Sequence, residues 1–282
     1  MKSNFPFFTI LFLTILISSC RALVEADLPD IQKTPVLNGL LVANNQVKVN
    51  VSLTASLGDS VPEIVTNAQV IIRSETECDT LSYTGDGWYS SKLIASEGQT
   101  YYCTVDIPDF PQMSAQTTVP EISYITDVKY TALAGFSMMN EKISSFELTI
   151  LNNPAKELFW DVQFNGIYYP DYYFKAEEDS VFLTEAEPLN IFSNRMMKTA
   201  DHKLKLYTTA SYVPKGDYSI ELRSVDSTYY KYQKQLYLYY SGGYRGFGTS
   251  SQTYPLYTNV KNGSGIFTSY TPFFKIHKTL SD

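Results

Sequence analysis

Short segments in which every second residue is apolar constrain the fold of this chain more than any other feature. This period of two runs along Val47–Leu53 and returns at Ala68–Ile72, Phe146–Ile150, Leu158–Phe164 and Tyr218–Leu222. Successive side chains of a β-strand point to opposite faces, so such a period indicates strands with a buried face. The sequence therefore predicts a mainly β protein.

Residues 35–120 carry the signals of a β-sandwich domain. The turn Gly85–Gly87 precedes Trp88-Tyr89, and the turn Glu97–Gln99 precedes Thr100–Cys103. Each turn leads into a segment rich in aromatic and β-branched residues, which is typical of a strand. Short strands at this spacing predict an immunoglobulin-like or transthyretin-like sandwich.

A second β-rich domain is predicted over residues 121–282, because the use of aromatic residues changes at Thr118–Glu121. Only four of the 23 tyrosines precede residue 122. One helix is predicted near residues 227–240, where Asp226 or Ser227 can cap the first turn. A lone helix of about 14 residues is marginal in water, so its apolar face is expected to pack on the sheet. That face consists of Tyr229, Tyr232, Leu236 and Tyr240.

The N-terminus has the pattern of an export signal. Lys2 precedes the apolar run Phe5–Ile17, which is shorter than the roughly 20 residues needed to span a bilayer. Small residues then lead to Cys20, and this ending resembles a bacterial lipobox, whose cysteine is acylated, for example with palmitate. We predict a signal peptide over residues 1–19, lipid attachment at Cys20 and a flexible tether over residues 20–34. The alternative is an ordinary signal peptide with a chance cysteine.

The charge of the chain limits its partners. It carries 22 Lys and Arg against 29 Asp and Glu, which gives a formal net charge of −7. Such an acidic chain is a poor partner for nucleic acid and is not attracted to anionic headgroups. No apolar stretch after Cys20 approaches membrane-spanning length, so the lipid is the expected membrane anchor.

Cys78 and Cys103 leave two possibilities open. In an oxidising compartment two remaining cysteines are candidates for a disulfide bridge. The alternative is two separate buried thiols, which behave as small hydrophobic groups. A bridge requires Cα atoms within about 7 Å of each other, and the sequence does not fix that distance.

No catalytic residue, metal site or cofactor is predicted. His202 and His277 lie outside any metal-ligand or nucleophile signature. The acidic run Glu177–Asp179 lacks the alternating oxygen ligands of a calcium loop and is predicted to be a solvated turn. A carbohydrate-active enzyme would need two carboxylates about 5–10 Å apart in an aromatic-lined cleft, and the sequence nominates no such pair.

An aromatic run supplies the best candidates for ligand or partner contact, which are Tyr168, Tyr169, Tyr172 and Tyr173. Consecutive aromatic residues cannot all face one side of a strand, so some of these rings are expected to be exposed. Exposed tyrosines suit stacking on a sugar, gripping a peptide or contacting a partner protein. The alternative is that half of the rings belong to the core and half cover the sheet edge.

Two segments carry a resemblance to a known family. They are Leu222–Tyr232 and Tyr254–Phe267, the second of which contains the pattern Asn-x-x-Asn-Gly-x-Gly-Ile-Phe. With the lipobox and the N-terminal sandwich, they resemble the Bacteroidota outer-membrane lipoproteins of the domain-of-unknown-function family forty-two forty-nine. The resemblance implies a non-enzymatic, lipid-anchored outer-membrane protein that partners a TonB-dependent receptor in nutrient uptake. It leaves open whether the protein faces the surface or the periplasm. The alternative is a surface structural or adhesive lipoprotein without a transport role.

Two short motifs carry further expectations. Gly263 and Gly265 supply the backbone freedom that a tight turn requires, so the glycine-rich ending is predicted to close the last strands rather than to bind a ligand. Asp-Ser-Val tripeptides place Ser60 and Ser180 in predicted loops. Both resemble the acceptor signal for O-glycosylation in Bacteroidota, and glycans require exposed sites.

Overall fold

The computed structural model describes residues 32–55, 61–165, 172–175, 177–213, 217–242 and 255–278. Within these residues the chain forms seventeen strands and one α-helix, which confirms the prediction of a mainly β protein with one helix. The strands are β1 (Pro35–Val42), β2 (Gln46–Leu53), β3 (Glu63–Ile64), β4 (Gln69–Arg73), β5 (Cys78–Thr80), β6 (Ser82–Gly85), β7 (Trp88–Ile94), β8 (Thr100–Asp106), β9 (Met113–Thr118), β10 (Ile125–Phe136), β11 (Lys142–Leu151), β12 (Phe159–Asn165), β13 (Tyr172–Phe174), β14 (Ile191–Ser193), β15 (Asp201–Thr209), β16 (Asp217–Val225) and β17 (Ser264–Lys278). The helix is α1 (Ser227–Gly242), and short 3₁₀ helices cover Ser180–Leu183 and Ala210–Tyr212.

The described strands form one nine-stranded sheet and two four-stranded sheets. The long sheet has the order β14-β12-β16-β17-β1-β2-β7-β6, and β3 pairs with β2. The two small sheets have the orders β5-β4-β8-β9 and β10-β11-β15-β13. Strand β17 runs parallel to β1 and antiparallel to β16, so it lies at the centre of the long sheet.

Two hydrophobic cores lie on the same face of the long sheet. The first core packs β1, β2 and β7 against the sheet that contains Ile72, and Phe267 of β17 belongs to it. The second core packs β12 and β16 against the sheet that contains Phe146, and Phe273 of β17 packs against it. Residues an even number apart on a strand share a face, so both cores use one face of β17. The long sheet is therefore a single layer shared by two sandwiches.

Strand β17 joins the two halves of the chain. Residues 264–270 pair with β1, and residues 270–278 pair with β16. Val260 and Phe267 are buried in the first core, although both lie in the predicted second domain. The two cores divide near the predicted domain boundary. Residues 121–282 do not form a separate domain, however, because their last strand, β17, also completes the first sandwich.

The glycine-rich ending closes the fold, as predicted. The Asn259 side chain donates to the carbonyls of Gln116 (3.0 Å) and Phe267 (2.7 Å), and it accepts from the Phe267 amide at 3.0 Å. Gly265 has φ +96°, and a Cβ at this position would overlap the Leu37 carbonyl oxygen. Only glycine therefore lets β17 enter the sheet this close to β1.

Helix α1 begins where the sequence predicts. The Asp226 carboxylate caps it by accepting from the Tyr229 amide at 2.7 Å. Tyr229 and Tyr230 pack on the outer face of the long sheet, opposite the two cores. The expected packing face is only half right, because Tyr240 is 64 % exposed and the last turns extend past the sheet. No helix among the described residues is both long and apolar enough to span a membrane.

The possible disulfide is not formed. Cys103 of β8 is fully buried in the first core, whereas Cys78 of β5 is exposed, and both thiols are free. Strand β4 lies between β5 and β8, and two strand spacings of almost 5 Å exceed the roughly 7 Å that a bridge allows. The alternative of two separate thiols is therefore correct, although it expected both to be buried and only Cys103 is. Burial raises the pKa of the Cys103 thiol to about 12.

Candidate functional site

A buried charged cluster lies between α1 and the outer face of the long sheet. Asp161 of β12 is at its centre, and its Oδ1 accepts from Gln163 (2.6 Å) and Asn190 (2.9 Å). Its Oδ2 accepts from the Tyr229 hydroxyl at 2.7 Å and lies 3.6 Å from Arg223 Nη1. The first segment of the family resemblance therefore supplies two of the four partners of this carboxylate.

Glu221 supplies the second carboxylate of the cluster, and it is paired with Arg223. Arg223 donates to Glu221 through Nε (2.7 Å) and Nη2 (2.9 Å), and its guanidinium lies 5.1 Å from the centre of the Tyr270 ring. Burial raises the pKa of Asp161, while the Tyr229 and Arg223 contacts oppose that rise. Because these carboxylates are occupied by neighbouring side chains and covered by α1, the cluster fixes the helix on the sheet.

Asp226 connects the helix to both sandwiches. Its Oδ2 accepts from the Thr117 hydroxyl of β9 at 2.5 Å, and its Oδ1 accepts from the Thr268 hydroxyl of β17. Thr117 and Ser269 lie within hydrogen-bond distance at 2.9 Å. Burial raises the pKa of Asp226, and these donors lower it in part. Asp226, from the first segment of the family resemblance, thus bonds β9 and Thr268, the residue that directly follows the second segment.

A cleft of about 580 Å³ lies beside this carboxylate, where the two sandwiches meet. It is lined by three stretches, residues 116–121, 156–160 and 224–228. The exposed ion pair between Lys156 and Glu121 (2.7 Å) lies at its wall. Its lining contains no histidine or cysteine, so it offers neither a nucleophilic thiol nor a soft metal ligand.

The predicted tyrosine contact site is described only in part. Tyr168 and Tyr169, and the side chain of Tyr172, lie outside the described residues. Tyr173 is 39 % exposed and stacks on Tyr207 of the neighbouring strand, with ring centres 5.7 Å apart. Phe174 is in the second core. Tyr173 is the one of these four tyrosines whose side chain is described, so their role in ligand or partner contact stays a prediction.

The acidic turn beside this strand is more structured than the sequence suggested. Asp179 is buried, its Oδ1 accepts from the Val181 amide at 2.9 Å, and its Oδ2 lies 2.8 Å from His202 Nε2. The prediction of a fully solvated turn is therefore wrong for Asp179. Ser180 is exposed at the start of the 3₁₀ helix, which leaves its glycosylation a prediction. Ser60 and the His277 side chain lie outside the described residues.

Exposed apolar side chains concentrate at the turn between β10 and β11, which the sequence analysis did not single out. We call this set the hairpin tip, and it consists of Leu133, Phe136, Met138 and Met139. Met138 is fully exposed and Met139 is 86 % exposed. The turn itself is set by Asn140 at φ +61°. Two adjacent methionines before a turn-forming asparagine were the available signal.

A second exposed apolar set occupies the last turns of α1. It consists of Tyr237, Leu238, Tyr239 and Tyr240. Tyr239 and Tyr240 contact each other edge to face, with ring centres 5.5 Å apart. Monomeric soluble proteins rarely leave contiguous apolar patches in water, so both exposed sets are candidate interaction surfaces.

Metal binding finds no support among the residues that the structure describes, since no three His, Cys, Asp or Glu side chains are grouped to hold an ion. The buried carboxylates of the charged cluster are tied into the fold, and the exposed groups of the hairpin tip and of the last turns of α1 are aromatic, aliphatic or thioether side chains that suit binding.

The described residues define a class of protein, a double β-sandwich with a helix on its outer face and two exposed apolar sets. Residues 22–275 match the family described as Domain of unknown function (DUF4249). The chain belongs to that family, which confirms the resemblance drawn from its sequence. A search of curated proteins finds no match.

A comparison with solved structures finds a protein from Corynebacterium diphtheriae whose description is that of a membrane-anchored protein. The two share 10% sequence identity, with a TM-score of 0.23. The match covers 68% of this chain and 54% of that one, so the chain spans about half the length of that protein. A similarity at this level carries no argument about fold or function.

Proposed function

We propose that this protein is a non-enzymatic lipoprotein of the outer membrane that acts as an accessory partner of a TonB-dependent receptor in nutrient uptake. The observation that carries the proposal is the hairpin tip, where four large exposed apolar side chains lie at the end of β10 and in the turn that follows it. Methionine is flexible and polarisable, and it is used at binding surfaces that must adapt to a partner. A tip of this kind suits insertion into an apolar recess of another protein.

The lipid attachment that the sequence predicts at Cys20 supports the membrane part of the proposal. Acyl chains contribute about 0.8 kcal/mol per buried methylene, so two or more chains hold a protein firmly at a bilayer. A flexible tether of the length predicted for residues 20–34 would span at most about 50 Å at about 3.4 Å per residue. The folded part can therefore stand clear of the membrane while it contacts a receptor in the same leaflet.

The strand register supports docking at the end of the fold that lies away from the tether. Strand β17 begins at Ser264, in register beside residues of β1 that follow the tether. It reaches His277, which pairs with Tyr218. These thirteen steps span about 43 Å at about 3.3 Å per residue. One edge of the second sandwich therefore lies far from the point where the tether enters.

The hairpin of β10 and β11 points toward that distant end. At its base, Tyr124 packs against Phe273 at 5.2 Å between ring centres. Closer to its tip, Phe146 packs against Tyr218 at 4.9 Å, level with the last residues of β17. The hairpin thus advances along β17 away from the tether before it reaches the hairpin tip. This direction favours a protein partner over the membrane that holds the anchor.

Co-purification tests the proposal. The full lipoprotein is crosslinked in intact cells and recovered from outer membranes, and its partners are identified by mass spectrometry. Wild-type protein is expected to recover a TonB-dependent receptor, and the double variant Met138→Ser, Met139→Ser is expected to recover much less. The control is Leu183→Ser, which removes another exposed apolar side chain elsewhere, one that is 68 % exposed. Absence of any receptor from the wild-type sample would contradict the proposal.

The surface structural or adhesive alternative makes a different prediction. Deleting the gene would then leave nutrient uptake unchanged and weaken attachment. Loss of uptake with normal attachment is the result that the receptor partnership predicts.

A further inference from the structure

Trp88 is the exposed centre of a row of side chains on the outer face of the long sheet. It opens β7 directly after the turn at Gly87, and it pairs in register with Asn50, which in turn pairs with Asn38 of β1. Its indole is 46 % exposed, while Tyr89 beside it is buried in the first core. The period of the strand therefore places a large aromatic ring in water instead of in the core.

Two hollows adjoin at this indole, and we call them together the Trp88 groove. One has a volume of about 340 Å³ and is polar, with Lys48, Thr84, Asp86 and Ser90 in its wall. The other has a volume of about 190 Å³ and lies between the sheet and α1. Its wall is largely apolar and aromatic, formed by Leu40, Tyr229, Tyr232 and Ile266 with Asn38, Gln233 and Thr268. Trp88 belongs to both walls.

The second hollow contains polar groups that the fold does not use. Asn38 is exposed and Gln233 is partly exposed, and neither side-chain amide has a hydrogen-bond partner among the described residues. Thr268, in contrast, already donates to Asp226. Each amide offers two hydrogen-bond donors and an acceptor, so the pair can bind hydroxyl groups both as donors and as acceptors. An aromatic wall with a few directed polar groups is the usual composition of a small-ligand pocket.

The charges around the groove narrow the class of ligand. Lys48 and Asp86 face the same hollow, so their charges offset each other and do not favour a phosphate or a carboxylate. The chain as a whole is acidic, with a net charge of −7. A purely apolar ligand would leave the two amides unpaired at a cost in free energy. The combination suits a neutral ligand with one apolar face and a rim of hydroxyl groups.

We propose that the Trp88 groove binds a neutral saccharide. One pyranose ring stacks its C–H face on the indole and places its hydroxyl groups against Asn38 and Gln233. The next residue of the saccharide enters the polar hollow beside Lys48 and Asp86. The physiological role of this site rests on the proposed function, because the saccharide would be the class of nutrient that is taken up. The binding itself requires no receptor.

Affinity electrophoresis of the full mature chain in mild detergent tests the proposal. Native gels contain one polysaccharide each from a panel of dextran, laminarin, yeast mannan, galactomannan and arabinan. We expect at least one of them to retard the wild-type protein. The variant Trp88→Ala is expected to bind roughly tenfold more weakly or worse, and Trp88→Phe is expected to retain part of the affinity because a ring remains.

Controls separate the groove from general surface effects. Tyr102→Ala removes an exposed ring from a different sheet and is expected to bind normally. Trp88→Ala is expected to stay folded with a modestly lower unfolding temperature, because about half of the ring is buried, so circular dichroism checks that lost binding is not lost folding. No retardation by any member of the panel, or retardation that is unchanged in Trp88→Ala, would overturn the proposal. Either result would leave the receptor co-purification unaffected, so the two proposals fail separately.

Discussion

Replacing Asp226 tests whether this residue stabilises the fold, as its buried hydrogen bonds indicate, or serves only at the surface. In Asp226→Ala the helix loses its cap, which costs about 1 kcal/mol. The Thr117 and Thr268 hydroxyls lose their acceptor, at about 1–3 kcal/mol for each buried group left unpaired. Removal of a buried charge offsets part of this loss. The expected change in the free energy of unfolding is a destabilisation of about 3–5 kcal/mol.

Asp226→Asn supplies the matched comparison. The amide keeps one oxygen to accept from the Tyr229 amide and Thr268, and it removes the ionised form that burial disfavours. We expect this variant to lie within about 1 kcal/mol of wild type. Asp127→Ala, at an exposed position on β10, controls for the loss of a surface carboxylate.

Urea unfolding followed by tryptophan fluorescence measures these differences. At about 2–4 °C per kcal/mol, Asp226→Ala should also lower the Tm by roughly 10 °C. The reasoning is refuted if the alanine variant unfolds within about 1 kcal/mol of wild type. It is equally refuted if asparagine is as damaging as alanine, since the cap and hydroxyl contacts would then not explain the effect.

Three further predictions follow from positions elsewhere in the fold. Gly265→Ala should destabilise the protein by about 3 kcal/mol in urea unfolding. Gly98→Ala should cost only about 1 kcal/mol, because Gly98 has a positive φ but no neighbour within 4 Å. Equal costs would contradict the close approach of β17 and β1. Iodoacetamide should modify Cys78 in the native protein and Cys103 only after unfolding, and peptide mapping that finds both modified at once would contradict the burial of Cys103. Burial raises the pKa of Asp161 in the fold, so its stabilising contribution is present at low pH and lost as pH rises through the raised pKa. The stability of Asp161→Asn relative to wild type should therefore improve from about pH 3 to pH 7, as measured by urea unfolding, and a difference that is independent of pH would contradict it.

The strands and the helix could be predicted because their signals are local. Alternation over Val47–Leu53 and a capping Asp226 before a helical stripe depend on neighbours in sequence. The pairing of β17 with β1 could not be predicted in this way. It joins Val36 to Ser264, and parallel pairs at such separation have no turn between them to set their register.

The candidate site was harder to predict because burial depends on tertiary contacts. Cys78 and Cys103 lie on strands that β4 separates, and only the strand order reveals this. Asp179 reads as part of an acidic surface run, yet it is buried beside His202. Met138 and Met139 precede the turn-forming Asn140, which is a local signal for a turn, but their exposure depends on the tertiary structure.

Site-specific photocrosslinking tests the central claim most directly. A photoreactive amino acid is placed at position 138 of the full lipoprotein in living cells, and at position 183, which is also exposed, as a control. The account predicts a crosslinked TonB-dependent receptor at position 138, identified by mass spectrometry, and none at position 183. Crosslinking to no receptor at position 138, or equal crosslinking at both positions, would contradict docking through the hairpin tip.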